Sequence, residues 1–483
     1  MSAAQSALEQ KRDEFFWLGQ INKASAVINA DEGLLESPVV PKIAGAIAKV
    51  IGDGNQPGGK RPATVITFEP LLIEAAGPEV TLLHAGRSSQ DMHGTFYAAT
   101  MRDHLLEIAR ELNTATEVMI ELADKNQKTV VPNYTNGVAA QPNSYGHFLL
   151  GFVAGFQRDA ERARQAYARL DRSPMGTMVL NGTSWPLTRE RMASYLGFEA
   201  IADNAFDAVQ ISSMEYPQDV GAVVTSIALH VGSFIEDLMT QYAQPRPWIL
   251  LQEGGDNTYV SSAMPQKRNP GILNNTRRDA STSISLAMGT IMRAHNIPPG
   301  MVDPKSIPDN GAMAAMALTF LKNFTKILKS LIIDPERALE ELNSDWTASQ
   351  EVADVLMRAY KLPFRVGHHV ASEMVSFAKK NTIKPLDFPY EEMKRIYAVV
   401  VSREGGGEPV LPMSEAEFRA CLDPVAIINN RATTGGPQPK EMARMLGVAR
   451  EKLAGQKAWV RERKDAIADS LARLDRDFEK LLK

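Results

Sequence analysis

The chain has 483 residues, 44% hydrophobic and 23% charged, with a net charge of −4. That is the balance of a soluble globular protein with room for about three domains. Acids and bases are mixed along its length, and no basic block interleaved with aromatics points to nucleic acid. Cys421 is the only cysteine, which excludes an intramolecular disulfide and a thiolate zinc cluster within one chain.

In chain order, MSAAQSALEQKRDEFF at the start has no apolar segment of a secretory signal, so a cytoplasmic location is expected. GNQPGGK (54–60) has the spacing of a phosphate loop. Arg61 and Pro62 follow it, however, where a Ser or Thr opening a helix is required. A surface turn is expected there. HAGRSSQDMHGT (84–95) is a polar loop, and Leu105, Ile108, Leu112 and Leu122 then recur at helical spacing. PNYTNGVAAQPNSYGH (132–147) is a second polar loop. GAVVTSIALHVGSFIEDLM (221–239) is the most apolar stretch, but His230, Glu236 and Asp237 interrupt it, so a buried helix is expected rather than a membrane span.

VSSAMPQKRNPGILN (260–274) fits neither periodicity, because Pro265 and Pro270 each remove a backbone donor. It reads as a long polar loop, a feature uncommon unless it serves a function. Adjacent helical residues such as His368 and His369 point roughly 100° apart and cannot chelate a metal together. No serine sits in a G-x-S-x-G elbow. Helical spacing returns at Ile467, Leu471, Leu474, Phe478 and Leu481. Pro and Gly clusters at 52–62, 244–247, 297–300 and 404–412 mark breaks. The fold class expected is all-α, with long central helices packed as a bundle.

V-S-S-A-M-P-Q-K-R-N-P resembles the signature of the fumarase/aspartase superfamily, G-S-S-x-M-P-x-K-x-N-P, with Val260 in the glycine position. INKASAVINADEGLL (21–35), HAGRSSQD, YTNGVAAQP, SPMGTMVLNGTSWPLTRERMASYLGF (173–198) and LPFRVGHHVASEMV (362–375) resemble its argininosuccinate lyase branch. The resemblance implies a three-domain, all-α subunit with a central five-helix bundle. It also implies a homotetramer with a twenty-helix core and active sites built from three subunits. We therefore expect an N-terminal helical domain over 1–87, a central bundle over 88–345 and a C-terminal helical domain over 346–483.

Members of this family eliminate a group from a succinyl moiety to give fumarate, with no metal or organic cofactor. Removing a proton beside a carboxylate builds a doubly negative aci-carboxylate, which needs preorganised donors and positive charge. By the resemblance, Ser261 is the general base, and Lys267 and Asn269 stabilise the accumulating charge. A serine is a poor base unless backbone donors and a cation stabilise its alkoxide. Ser88, Ser89, Gln90, Thr135, Asn136, Gln141, Ser262, Met264 and Asn274 are expected to bind substrate, and Gly254 and Gly255 to act as hinges. Each donor lost is expected to cost on the order of 3 kcal/mol.

The departures narrow the chemistry. The family's second loop usually reads Thr-His, and that histidine pairs with a glutamate five residues after the signature asparagine. Here the positions are Asn136 and Asn274. Losing both partners keeps the site neutral, whereas losing one would strand a charge. Hydroxide needs a proton to leave, but a substituted ammonium already carries one, so an amine lyase is expected rather than a fumarase. Argininosuccinate lyases carry G-R-S-R-N-D and S-D-R-D. Here those runs are Gly86–Asp91 with Ser89 and Gln90, and Gln210-Ile211-Ser212-Ser213. The expectation is a carbon–nitrogen lyase releasing fumarate and an amine from an N-substituted aspartate, a small-molecule enzyme with no nucleic-acid or membrane partner. Argininosuccinate lyase proper, a silent dicarboxylate-binding tetramer, and cycloisomerase chemistry suggested by Ser-Ser-Gln-Asp are the alternatives.

Overall fold

A computed structural model describes residues 12–483. Most of the N-terminal stretch read above for a signal lies outside the described residues. The first helices are α1 (Glu14–Asp31), α2 (Val40–Gly54) and α3 (Val65–Ala76). The centre comprises α4 (Ser89–Lys125), the strands β1 (Val130–Thr135) and β2 (Val138–Ser144), α5 (Tyr145–Leu170), the short α6 (Arg189–Tyr195), α7 (Ser212–Tyr242), α8 (Gly271–Ala294) and α9 (Ile307–Lys329). Beyond it lie α10 (Pro335–Leu342), α11 (Ser349–Tyr360), α12 (Phe364–Lys380), α13 (Tyr390–Glu404), α14 (Glu415–Leu422), α15 (Pro424–Asn429) and α16 (Pro439–Lys480). The expected all-α architecture is what the chain adopts.

Helices α4, α5, α7, α8 and α9 pack side by side as a five-helix bundle, each running opposite to the one before it in the chain. Its centre is an aromatic chain, with Phe152 on Phe234 at 5.2 Å, Phe234 on Phe324 at 5.4 Å and Phe324 on Phe156 at 5.7 Å. Edge-to-face geometry at these distances adds attraction beyond burial. The apolar 221–239 stretch lies within α7, where Val223, Val224, Ile227, Val231, Phe234 and Ile235 are buried in this core. By length and composition alone α7 would also span a bilayer. Its buried stripe explains the apolar run without one.

The α4 helix is 37 residues long, so its ends stand about 55 Å apart. One end of the bundle gathers the segment before α4, the α5–α7 connection and the α8–α9 connection. The other gathers the β1–β2 pair, the 243–270 connection and the start of α10. At the first end Arg102 on α4, fully buried, donates to Asp171 at 2.8 Å and to the carbonyls of Gly197 and Leu196.

A second apolar core runs from Trp346 to Leu422. The last helix, α16, is not part of it. It packs on α4, α1, α5 and α6 instead, through Leu446, Leu453, Val460, Ile467 and Phe478 in the first core. The 346–483 region therefore contributes to both cores.

Asp237 on α7 is a half-buried carboxyl whose side chain accepts no hydrogen bond from another described residue, and burial lifts its pKa to about 6. The unfolded chain releases that proton near pH 4. Stability tied to this group is therefore lost as the pH rises from about 4 to about 6. Asp237→Asn, which removes the charge, is expected to be more stable than the parent at pH 8 by up to about 3 kcal/mol. The difference should vanish at pH 4. Urea midpoints of the two proteins at both pH values test this.

Candidate active site

Three polar segments from the sequence reading take defined shapes. In the first, Gly86 has φ +65°, and a Cβ there would lie 2.0 Å from Leu187 Cδ1. Only glycine satisfies both constraints. Arg87 is buried and donates to Ser25 Oγ at 3.0 Å. Its burial lowers the pKa to about 10, against the pull of Asp91 and Glu69. Ser88 caps α4: its Oγ accepts from Gln90 N at 3.3 Å, and Asp91 Oδ1 accepts from Ser88 N at 2.8 Å. This closed capping box leaves Ser88, Ser89 and Gln90 half-buried at the helix N-terminus, where backbone N–H groups and the helix dipole favour a carboxylate. Asp91 was not among the expected site residues. Fully buried, it also accepts from Met178 N at 3.1 Å, and burial raises its pKa to about 6. The spacing Ser88-x-x-Asp91 is the capping-box signal that could have found it.

The second segment is not a loop but a β-hairpin. β1 and β2 pair antiparallel with Thr135 opposite Val138, and Asn136 (φ +54°) and Gly137 (φ +76°) form the two-residue turn. Positive φ at both positions is the type I′ pattern, for which Asn-Gly is the strongest sequence signal. Asn136 thus has a conformational reason to be asparagine, apart from any chemistry. Thr135, Asn136 and Gln141 are exposed, and Gln141 Nε2 donates to Gln350 Oε1 at 2.8 Å.

Behind the turn the hydroxyl of Tyr134 donates to Glu341 at 2.5 Å and accepts from Gln241 at 2.8 Å and Trp248 at 3.2 Å. Four segments meet at this one oxygen. Tyr134→Phe leaves three partly buried polar groups without their partner, at about 1–3 kcal/mol. It is expected to speed amide exchange across residues 130–144 and to leave helix content unchanged. Exchange rates equal to the parent's would show that the hydroxyl does not hold the hairpin.

In the third segment Tyr259–Val260 pairs with Arg268–Asn269, which closes residues 261–267 into a tight loop. Ser261 Oγ accepts from Met264 N at 3.2 Å and from Ala263 N at 3.4 Å. Ser261 N donates to Lys267 O at 3.2 Å, so the loop folds back on its serine. Asn269 Nδ2 donates to Tyr259 O at 3.4 Å. Ser262, Met264, Lys267 and Asn274 are exposed, and Ser261 and Asn269 half-exposed. Gly254 (φ +88°) and Gly255 (φ +56°) stand at the loop entrance. Arg268–Glu253 at 2.9 Å closes it on itself, and Lys326–Asp256 at 2.6 Å pins it to the bundle.

The hairpin and the serine loop share one end of the bundle, and Ser88–Gln90 sits at the other. The length of α4 keeps them apart within a subunit. His369 pairs with Glu404 at 2.6 Å, and among the described residues no three His, Cys, Asp or Glu side chains gather as a metal ion would need.

The family model described as lyase matches residues 64–284, and the one described as argininosuccinate lyase C-terminal matches 346–429. The chain belongs to the fumarase/aspartase superfamily, on its argininosuccinate-lyase-like branch. Argininosuccinate lyase of Methanosarcina acetivorans is 25% identical over 96% of this chain and 91% of its own length. That of Methanoculleus marisnigri is 29% identical over 84% and 80%. Among solved structures, an EDDS lyase variant with bound fumarate superposes with a TM-score of 0.87 at 22% identity, covering 97% of this chain and 92% of that one. The 3-carboxy-cis,cis-muconate lactonizing enzyme of Pseudomonas putida reaches 0.62 at 17% identity, over 96% and 98%. As a member of this superfamily branch the protein is a carbon–nitrogen lyase.

Proposed function

We propose that the protein cleaves an N-substituted aspartate to fumarate and an amine, or runs that reaction in reverse, with Ser261 as the base. The observation that carries this reading is the pair of backbone N–H groups donating to Ser261 Oγ. They are the donors an alkoxide needs before it abstracts a proton. Ser261 takes the proton from the carbon beside a carboxylate. That C–H pair becomes the new double bond, and the C–N pair leaves with the amine. Lys267 and Asn269 answer the charge that builds on the carboxylate.

Asn136 and Asn274 supply no acid, in keeping with a leaving group that departs as a neutral amine from its protonated form. The curated relatives, named argininosuccinate lyases, support elimination at a succinyl nitrogen. The absence of arginine at Ser89 and Ser212 supports an amine other than arginine.

Because Ser88–Gln90 and Ser261 stand at opposite ends of a helix about 55 Å long, each site combines segments of different subunits, as in a homotetramer. Exposed Met288, Ile291 and Met292 on α8 suit burial between subunits. Mixing two inactive proteins tests this. Ser261→Ala subunits refolded together with Ser89→Ala subunits should regain part of the parental activity, since some mixed sites contain neither substitution. Mixtures no more active than their components would refute shared sites.

A further inference from the structure

The connection between α5 and α7 borders an open cavity of about 570 Å³ beside the π-turn Asp207–Ile211. Volumes of that order hold small molecules. Both signs of charge line it. Arg169 is occupied by Asp219, through two bonds of 2.7 Å. Arg172, Asp203 and Asp207 also face the cavity, and their charged groups form no ion pair or side-chain hydrogen bond with another described residue.

The backbone that carries them is held firmly. Asn204 Oδ1 accepts from Phe206 N at 2.9 Å and Asp207 N at 3.1 Å. Ala202 is fixed by Ser173, whose carbonyl accepts its N–H, and by Arg189, which donates to its carbonyl at 2.7 Å. Phe206, 42% exposed, adds an aromatic rim. Glu215 on the first turn of α7 is raised by burial, then by Asp207 and Asp219. The field near Asp207 is therefore negative and favours a cation.

A ligand of one sign would leave the opposite charges of the cavity unanswered, whereas a molecule carrying both signs answers all three. We propose that this cavity binds an α-amino acid as its zwitterion, with the carboxylate on the fork of Arg172 and the ammonium on Asp203 and Asp207. The site lies at the same end of the bundle as Ser88–Gln90 and does not depend on the elimination proposed above.

Titration calorimetry of the full chain with L-alanine, acetate and methylammonium tests it, because alanine carries the zwitterion with the smallest side chain of a chiral amino acid. Saturable binding of alanine is expected, with acetate and methylammonium each weaker by about tenfold or more. Arg172→Gln and the pair Asp203→Asn/Asp207→Asn should each weaken alanine to a similar degree while circular dichroism stays parental. The paired variant keeps the test open should Arg172→Gln fail to fold. No saturation by alanine, acetate binding as tightly as alanine, or unchanged affinity in the folded variants would each overturn the site.

Discussion

Replacing Ser261 with alanine is expected to lower turnover by about 10²- to 10⁴-fold, the range a positioned base supplies. Helix content and assembly should stay unchanged. The loop is fixed by contacts that the substitution leaves alone. These are the strand pair Tyr259–Val260 with Arg268–Asn269, the Ser261 N to Lys267 O bond, and the Arg268–Glu253 and Lys326–Asp256 ion pairs. What the substitution removes is one oxygen that receives two backbone N–H groups. Alanine leaves those donors facing water in this open loop, so little stability is lost. Gln266→Ala in the same loop is the control, since Gln266 is exposed and holds no expected role in the site. A Ser261→Ala protein with parental turnover would remove this serine from the mechanism, and equal losses in both variants would point to loop disruption.

Arg102→Met is expected to cost about 3–5 kcal/mol, because it leaves Asp171 as an unpaired charge in a dry interior. Arg102 is fully buried, with its guanidinium 4.2 Å from the ring of Phe198. Its three hydrogen bonds tie α4 to Asp171 at the end of α5 and to Leu196 and Gly197 beyond α6. Two backbone carbonyls lose a donor as well. Converting Asp171 to Leu in the same protein removes the stranded carboxylate, and much of the stability should return. Urea midpoints at one fixed protein concentration test this. A single variant within about 1 kcal/mol of the parent, or a double variant no better than the single, would contradict it.

The helical parts of the chain were legible because apolar residues recur at three and four along α4 and α16; Ser88 caps the first and Pro439 opens the second. The hairpin was less so: β1 and β2 mix Pro, Asn and Gln into a half-exposed pair without alternation, although Asn136-Gly137 carried the turn signal. Where α16 goes was not legible either. Its apolar spacing announces a partner but not which one, and it bypasses the adjacent second core to lie on α4, some 350 residues away in the chain.

The eleven-residue loop at 260–270 was legible as a motif because its prolines forbid regular structure. The bonds to Ser261 Oγ came only with the fold. Composition could not disclose that Ser88 caps one end of a helix about 55 Å long while the serine loop lies at the other end. Charges around the α5–α7 cavity were equally hidden, since Arg172 is distant in sequence from Asp203 and Asp207 and reaches the same cavity only through the pairing of Arg172–Ser173 with Ala200–Ile201.

The most direct test of the central claim is to mix the protein with fumarate and a panel of amines, diamines and amino acids, following the loss of fumarate absorbance in the ultraviolet. Cleavage of argininosuccinate should be measured alongside. Consumption with one amine class is expected, with an N-substituted aspartate as product, and none of either with Ser261→Ala. Fumarate left untouched by every amine, or consumed equally by the Ser261→Ala protein, would contradict it.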